Sequence, residues 1–381
     1  MKRLLRSEIY IALLFLTAIL LPGLDTCLKF NRQKHLNENR AQAELPRITL
    51  SLASLQKFPQ SYTKWFNDHF GFRSSLVKAN FFIRYALLGG SPSRQVIVGK
   101  EGWLFYNGEG TIEDFRAITK FDESALAKWG QTLEKRRVWL ERQGIRYVYM
   151  IAPNKSTIYG EFMPDAYTRV RTSSGLDDMV DYLKKHTQVT VVDCRPALLA
   201  AKPGERVYFK TDTHWNPYGA FLAYREIMKP VTAWFPAIRI KTLEDFTVET
   251  KRGNGGDLTA LLGGSEFIKD DYPVLKPKVG SQLKLDGIND QSKSPLSIEG
   301  TDGSLPRALF FRDSFFSTVA PYVADHFSYS RYYWDYWNST TPIEEMIRAQ
   351  KPDIVVEEVV ERAVKFYMTD LITTTPKYLT Q

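Results

Sequence analysis

The spacing of apolar and polar positions changes character twice along the chain of 381 residues. Residues 9–24 form an unbroken apolar run. From residue 30 to about 90 the sequence is polar with scattered aromatics, and Phe66, Phe70, Leu76, Phe81 and Tyr85 recur at roughly helical spacing, which predicts one or two helices. Beyond Gly90 short apolar blocks alternate with longer amphipathic ones. "RQVIVG", "GWLFY", "IRYVYMIAP", "VTVVDC" and "ERVYFK" read as strands, whereas residues 124–143, 176–186 and 217–228 read as helices. The pattern resumes at "RALFF" (residues 307–311), with a helix from about Ser314, a strand near 327–333, a helix near Glu344 and the strand "PDIVVEEVV".

This alternation predicts an α/β fold, a mainly parallel sheet with helices on both faces. It also divides the chain into an anchor (1–29), a helical stem (30–89) and one α/β domain (90–375). Within that domain, residues 269–305 are rich in Lys, Asp, Gly, Ser and Pro and predict a surface insertion.

Composition and charge refine the picture at the N-terminal end. With 44% apolar residues the chain can bury a large core. Its net charge of +8 owes half to the first forty residues, where Lys2, Arg3, Arg6, Lys29, Arg32, Lys34 and Arg40 face only Glu8, Asp25 and Glu38. No aromatic-interleaved basic stripe follows, so nucleic acid is not expected as a partner. Three cations precede the apolar run of residues 9–24. That run is shorter than the ~20 residues that cross a bilayer and longer than a signal-peptide core of ~7–15. No small-residue cleavage site follows it, and Asp25-Thr26 suit a lipoprotein signal before Cys27 poorly. The expectation is an uncleaved signal anchor with its basic end inside and the rest of the chain exported. Cys194, the other cysteine, ends a predicted strand and is expected to be buried and inert.

Open α/β sheets place their chemistry at the carboxyl ends of strands. Three predicted turns there carry Pro153-Asn154-Lys155, Asp212-Thr213-His214 and Arg312-Asp313-Ser314. "ALFFRDSFF" sets Ser314 where a strand gives way to a helix, next to backbone N–H groups that suit a developing oxyanion. A serine hydroxyl needs a base, and the base needs an orienting partner. In extended chain, positions i and i+2 face the same way, so Asp212 can hold His214 while its other nitrogen meets Ser314. The same residues also have a plain reading: Ser314 as a helix N-cap, and His214 as a hydrogen-bonded core histidine beside Trp215. The remaining histidines read as structural: His69 in the stem, His186 at a helix end, His326 as a cap, and His35 exposed in the stem.

Taken in order, "GKEGWLFY", "APNKSTIYGEFMP", "TDTHWNPYGA", "GGDLTALLG", "FFRDSFFSTVAPYVADHF" and "PDIVVEEVVER" resemble the SGNH-hydrolase-like domain of AlgX/AlgJ-type alginate O-acetyltransferases over about residues 90–365. D-x-H-W followed by a distant D-S-F is specific as a pair and weak singly. The resemblance implies Asp212 as orienting acid, His214 as general base and Ser314 as nucleophile. It further implies acetyl transfer through an acetyl-serine to a hydroxyl of an exported polysaccharide. The acetyl group would come from a membrane-bound O-acyltransferase, with no metal or nucleotide, at the Gram-negative inner membrane with the domain in the periplasm.

Arg312 replaces the glycine of the Gly-Asp-Ser found in ordinary SGNH enzymes, so the turn must be built differently. Asn154 is a candidate oxyanion donor, though Asn in such a turn is ordinary turn chemistry. Lys155 and Tyr159 are candidates to line a groove for an acidic sugar, and Trp215 to stack on a sugar ring. Arg312 joins them as a candidate substrate contact. Two rival functions keep the same residues: an acetylesterase that hands the acyl group to water, and a non-catalytic envelope protein that binds polysaccharide or organises a secretion complex.

Overall fold

The computed structural model describes residues 2–28, 42–49, 51–280, 283, 285–338 and 340–373. The chain divides into two compact units. One comprises residues 1–94 and 259–268, the other 95–258 and 269–381. His35 and the start of the predicted stem lie outside the described residues.

In the first unit, the apolar run lies inside a longer helix, Lys2–Leu28, whose stretch Glu8–Thr26 has a mean hydropathy of 1.9. At 19 residues this stretch exceeds the 9–24 read from composition and comes close to the ~20 that span a bilayer. Pro22 continues the helix, and Asp25 does not end it, because its carboxylate accepts the Phe72 N–H and is buried. The helices Leu52–His69 and Arg73–Phe81 follow, with a π-helical turn Phe82–Leu87. Ser51 caps the first of them on the Ser54 N–H.

Among its described residues the second unit has ten strands: β1 Val96–Val98, β2 Leu104–Tyr106, β3 Arg146–Ala152, β4 Thr190–Asp193, β5 Phe246–Asn254, β6 Lys269–Pro277, β7 Leu296–Glu299, β8 Arg307–Phe311, β9 Tyr329–Tyr333 and β10 Ile354–Val360. Six of them form the central sheet in the order β4-β3-β10-β8-β9-β7. All neighbours are parallel except β7, which adds antiparallel to β9.

β10 is the middle of this sheet and every one of its seven residues is buried. Its period of two divides the core. Val356 and Val360 join Val148, Met150 and Phe310 on one face, under the helices Pro217–Trp234 and Phe316–Val323. Val355 and Val359 join Tyr147, Tyr149 and Leu309 on the other, under Glu123–Glu141 and Gly175–His186. The helix starts are written locally: Ser174 and Asp177 form a capping box, and Asn216 caps two N–H groups ahead of Pro217.

Three sequence expectations change. "RQVIVG" and "GWLFY" pair only with each other, as the antiparallel ribbon β1-β2 outside the main sheet. "ERVYFK" is no sheet strand: Tyr208 makes a single bridge to Trp215, pinching off a loop. Within residues 269–305, β6 pairs with β5 along nine positions and β7 extends the main sheet. Polar composition hid these strands because each has a solvated face.

Candidate active site

The loop pinched off by Tyr208 and Trp215 is held from several sides. Lys155 donates from Nζ to the carbonyls of Phe209, Lys210 and Asp212 at 3.2, 3.0 and 2.7 Å. Asp270, buried and paired with Arg206, accepts from both the N–H and the hydroxyl of Thr211. The Thr213 N–H donates to Asp257 Oδ1 at 2.8 Å, and its hydroxyl to Oδ2 at 2.5 Å. Gly256 makes this closeness possible, since a Cβ there would stand 2.4 Å from the Asp212 side chain.

Inside that frame, His214 Nδ1 lies 2.6 Å from Asp212 Oδ1 and Nε2 lies 2.8 Å from Ser314 Oγ. Asp212 Oδ1 also accepts the His214 N–H, and Oδ2 accepts the Asp257 N–H at 2.9 Å. The acceptor bonds fix the tautomer: with Nδ1–H donated to Asp212, Nε2 is left to accept the serine proton. Burial lowers the pKa of His214, but the hydrogen bond and charge of Asp212, with a smaller contribution from Asp257, outweigh it and the net direction is upward. Burial would raise Asp212, yet the same pairing holds it below the usual carboxylate range. Asp257 moves up, through burial and the neighbouring Asp212 charge.

Ser314 follows β8 in a turn braced by acids. Asp313 Oδ1 accepts the Phe315 N–H at 2.8 Å, while Oδ2 accepts the Val360 N–H and the Tyr336 hydroxyl. The Asp313 N–H donates to Glu358 Oε2, and burial with the Asp313 charge pushes Glu358 well up. Two backbone donors of the turn are thereby committed. The Ser314 side chain faces a cleft of about 720 Å³ whose walls include Glu109, Tyr336, Asn338, Arg362 and Phe366. Arg362 is paired there with Glu109 at 2.8 Å, with its guanidinium 5.4 Å from the Phe315 ring.

The five further candidates are all buried. Lys155 holds the loop, and burial brings its pKa down to about 7 against the pull of Asp257, Asp212 and Asp270. Tyr159 accepts the Val207 N–H and stacks on Trp103 at 4.2 Å. Trp215 donates to the Phe315 carbonyl. Arg312 donates to the Asp313 carbonyl and to Ser317, with its guanidinium 3.9 Å from the Trp334 ring centre. Lining a sugar groove is therefore not where Lys155, Tyr159, Trp215 and Arg312 are placed; they build the loops beneath it. Asn154 is different: it is 2% exposed and neither its Nδ2 nor its Oδ1 has a partner among the described residues.

Asp257, Asp313, Glu358, Tyr336 and Glu109 carry no sequence-based role, and Arg362, expected from sequence in an ion pair beside Glu361, is paired with Glu109 while Glu361 accepts the Asn154 N–H and the Thr157 hydroxyl. "GGDLTALLG" marks the position of Asp257, but its function depends on a fold contact with Thr213. Of the other histidines, His326 is buried on the Tyr224 hydroxyl, and burial takes its pKa down to about 4. His69 bonds the Trp65 carbonyl and His186 stacks on Tyr182. Cys194 is free and buried. Asp212, His214 and Asp257 present side-chain ligand atoms within 4.8 Å of one another, but those atoms already serve the hydrogen bonds described above.

Residues 96–284 match the family described as SGNH hydrolase-like domain, acetyltransferase AlgX. That stretch includes Asp212, His214 and Asp257 and ends before Ser314. A probable alginate O-acetylase AlgJ of Pseudomonas syringae pv. tomato is 31% identical over 221 residues, covering 56% of this chain and 50% of that protein. Its counterpart in Pseudomonas fluorescens is 23% identical over 215 residues, covering 55% and 53%. The chain thus spans about half the length of the curated relatives it matches. Among solved structures, Bacillus cereus PatB1 has a similar fold, with a TM-score of 0.50 at 16% identity over 70% of this chain and 96% of that one. Over residues 96–284, just under half of its length, the chain is thus similar to the SGNH hydrolase-like domain of acetyltransferase AlgX, and over 56% of its length to an AlgJ protein.

Proposed function

We propose that the protein is a membrane-anchored, periplasmic O-acetyltransferase that moves acetyl groups through Ser314 onto hydroxyls of an exported polysaccharide such as alginate. The observation that carries this reading is the position of His214, bonded to Asp212 on one nitrogen and to Ser314 on the other.

In the first half-reaction, Ser314 Oγ attacks the carbonyl carbon of a donor acetyl ester as its proton passes to His214 Nε2. Asp212 stabilises the imidazolium. When the tetrahedral adduct collapses, the donor's C–O bond breaks, its oxygen takes the proton from His214, and acetyl-Ser314 remains. In the second, a sugar hydroxyl gives its proton to His214 and attacks the acetyl carbon; the bond from the acetyl carbon to Ser314 Oγ breaks and the proton returns to Oγ. The acceptor gains one acetyl ester, and the serine is restored. The oxyanion of each adduct is held by the Ser314 N–H and by the Asn154 amide, whose nitrogen is buried without another acceptor.

The donor is a membrane-bound O-acyltransferase, and neither a metal nor a nucleotide takes part. The helix Lys2–Leu28 is the anchor, with its basic start inside. The cleft beside Ser314, with exposed Phe366 on its wall, offers an aromatic face on which a sugar ring can stack.

The reading is tested by mixing the full chain with an activated aryl acetate, quenching in acid and mapping the acetylated peptide. Acetyl on Ser314, together with a burst of phenolate, is the expected result. Hydrolysis without any acyl-serine, or acetyl on another residue, would count against it.

A further inference from the structure

In the helix Leu52–His69, the residues Leu55, Phe58, Tyr62, Trp65, Phe66 and His69 recur at spacings of three and four and so share one face. Their rings touch in series: Phe58 to Tyr62 at 5.8 Å, Tyr62 to Trp65 at 5.5 Å and Trp65 to His69 at 5.2 Å. The opposite face carries Gln56, Lys57, Gln60, Thr63, Lys64 and Asn67. The apolar face is not folded inward. Leu55 is 48% exposed and Tyr62 42%, and the following turns leave Leu76, Phe82, Ile83, Leu87 and Leu88 exposed as well.

The end of this helix is fastened to the end of the apolar span. Thr26 Oγ1 accepts the Gly71 N–H at 2.9 Å, and Asp25 Oδ2 accepts the Phe72 N–H at 3.1 Å. The contact is so close that a Cβ on Gly71 would stand 2.1 Å from the Pro22 carbonyl oxygen. Thr26 is the last residue of the span Glu8–Thr26. If that span crosses the bilayer, the corner at Gly71 sits at headgroup depth, and the aromatic helix ends there. Between residues 52 and 88 the sequence holds Lys57, Lys64, Arg73, Lys78 and Arg84 against Asp68, a net charge of +4, with Lys78 also paired to Glu266 at 2.9 Å. A stretch with an excess of cations, opening on a helix with Trp and Tyr on its apolar side, is the composition that lies in a membrane interface and is drawn to anionic lipid. A cleft of about 350 Å³ opens at the same corner, with Phe66, Phe70, Leu76 and Val77 on its walls beside Asn67, Arg73 and Asn80.

We infer that the helix Leu52–His69 is an interfacial helix, its Tyr62–Phe66 face seated in an anionic phospholipid surface at the exit of the anchor. This rests on the reading of Lys2–Leu28 as a membrane span. The phospholipid, and not another protein, is the occupant because the anchor itself fixes the corner at that depth.

The test uses the full chain with Cys27→Ser, reconstituted in vesicles of phosphatidylethanolamine and phosphatidylglycerol, with a nitroxide on Leu14→Cys, Gln60→Cys, Tyr62→Cys or Phe66→Cys. Cys194 is buried and stays unlabelled. Collision with apolar oxygen and with a water-soluble nickel chelate is measured at each site. The oxygen-to-nickel ratio is expected to be several-fold higher at 62 and 66 than at 60, and highest at 14. A high ratio at 14 with ratios at 62 and 66 no greater than at 60 overturns the inference and leaves the anchor standing. Labels at 62 and 66 shielded from both reagents would mean that protein covers the face, which also overturns it. A low ratio at 14 would remove the anchor itself.

Discussion

His214 Nε2 and Ser314 Oγ lie 2.8 Å apart although a hundred residues separate them in sequence. The base stands on a loop outside the sheet and the serine at the end of a central strand, so the contact depends on the braces that hold the loop: Lys155, Asp270 and Asp257. Activity should therefore respond to changes in the braces as well as in the reacting groups.

Because the pKa of His214 is raised, the free base is lost as pH falls through a value above the ordinary 6.5. The log of kcat/KM for acetyl release should rise with pH and level off above that value. Asp212→Asn removes the main cause of the upward shift. The limb should move to lower pH while the plateau falls by roughly 10³–10⁴-fold, through loss of the correct tautomer. A pH profile of both proteins checks this; a limb that stays in place would show that Asp212 does not set the base.

The same pairing has the opposite sign for stability. A histidine whose folded pKa is raised contributes stability that is complete below the unfolded value near 6.5 and fades as pH rises through the folded one. Asp212, held low, contributes above its ordinary value near 3.8 and loses that contribution in acid. The difference in unfolding free energy between the wild type and His214→Gln should thus be largest between these values and shrink in alkali. Urea melts across pH would show it.

Asp257→Ala frees the Thr213 N–H and hydroxyl and removes a charge that also raises His214. The expected result is a kcat lower by about 10²-fold, the cost of a small misplacement, with KM little changed and the acid limb shifted down. A change in KM alone would place Asp257 against substrate.

On the other face of the sheet, Arg136 and Glu357 form a fully buried pair at 3.0 Å, bonded also to Tyr147 and Tyr367. Arg136→Met leaves a buried carboxylate without its partner and should cost about 3–5 kcal/mol. Adding Glu357→Leu should restore much of that stability, which denaturant unfolding of the single and double variants would measure.

Much of the fold was legible because its cause is local. The apolar runs of β3 and β8 are buried on both faces, so they stand out as continuous blocks, and β10 does so on either side of Glu357-Glu358. The helices after Ser174 and Asn216 announce themselves through their caps. The strands β5 and β6 did not, since exposed alternation such as "FTVETKRGN" resembles a solvated loop.

At the site, spacing brought Asp212 and His214 together, and strand-turn-helix form singled out Ser314. Lys155, Tyr159, Trp215 and Arg312 looked like ligands for a sugar because polar and aromatic residues near a site suggest contact. Their burial is set by residues distant in sequence: Phe209, Lys210, Val207, Phe315 and Ile288. Asp257 and Glu358 act on the site only through the fold, so spacing carried no signal for either.

The central claim is that Ser314 passes an acetyl group to a sugar. The measurement that tests it most directly follows polyuronate oligosaccharides by mass after incubation with an activated aryl acetate and the full chain, as wild type or Ser314→Ala. The account predicts a gain of acetyl mass on the sugar with the wild type, lower by at least about 10³-fold in the variant, while both proteins melt alike. Acetylated sugar formed equally by the Ser314→Ala protein would contradict it.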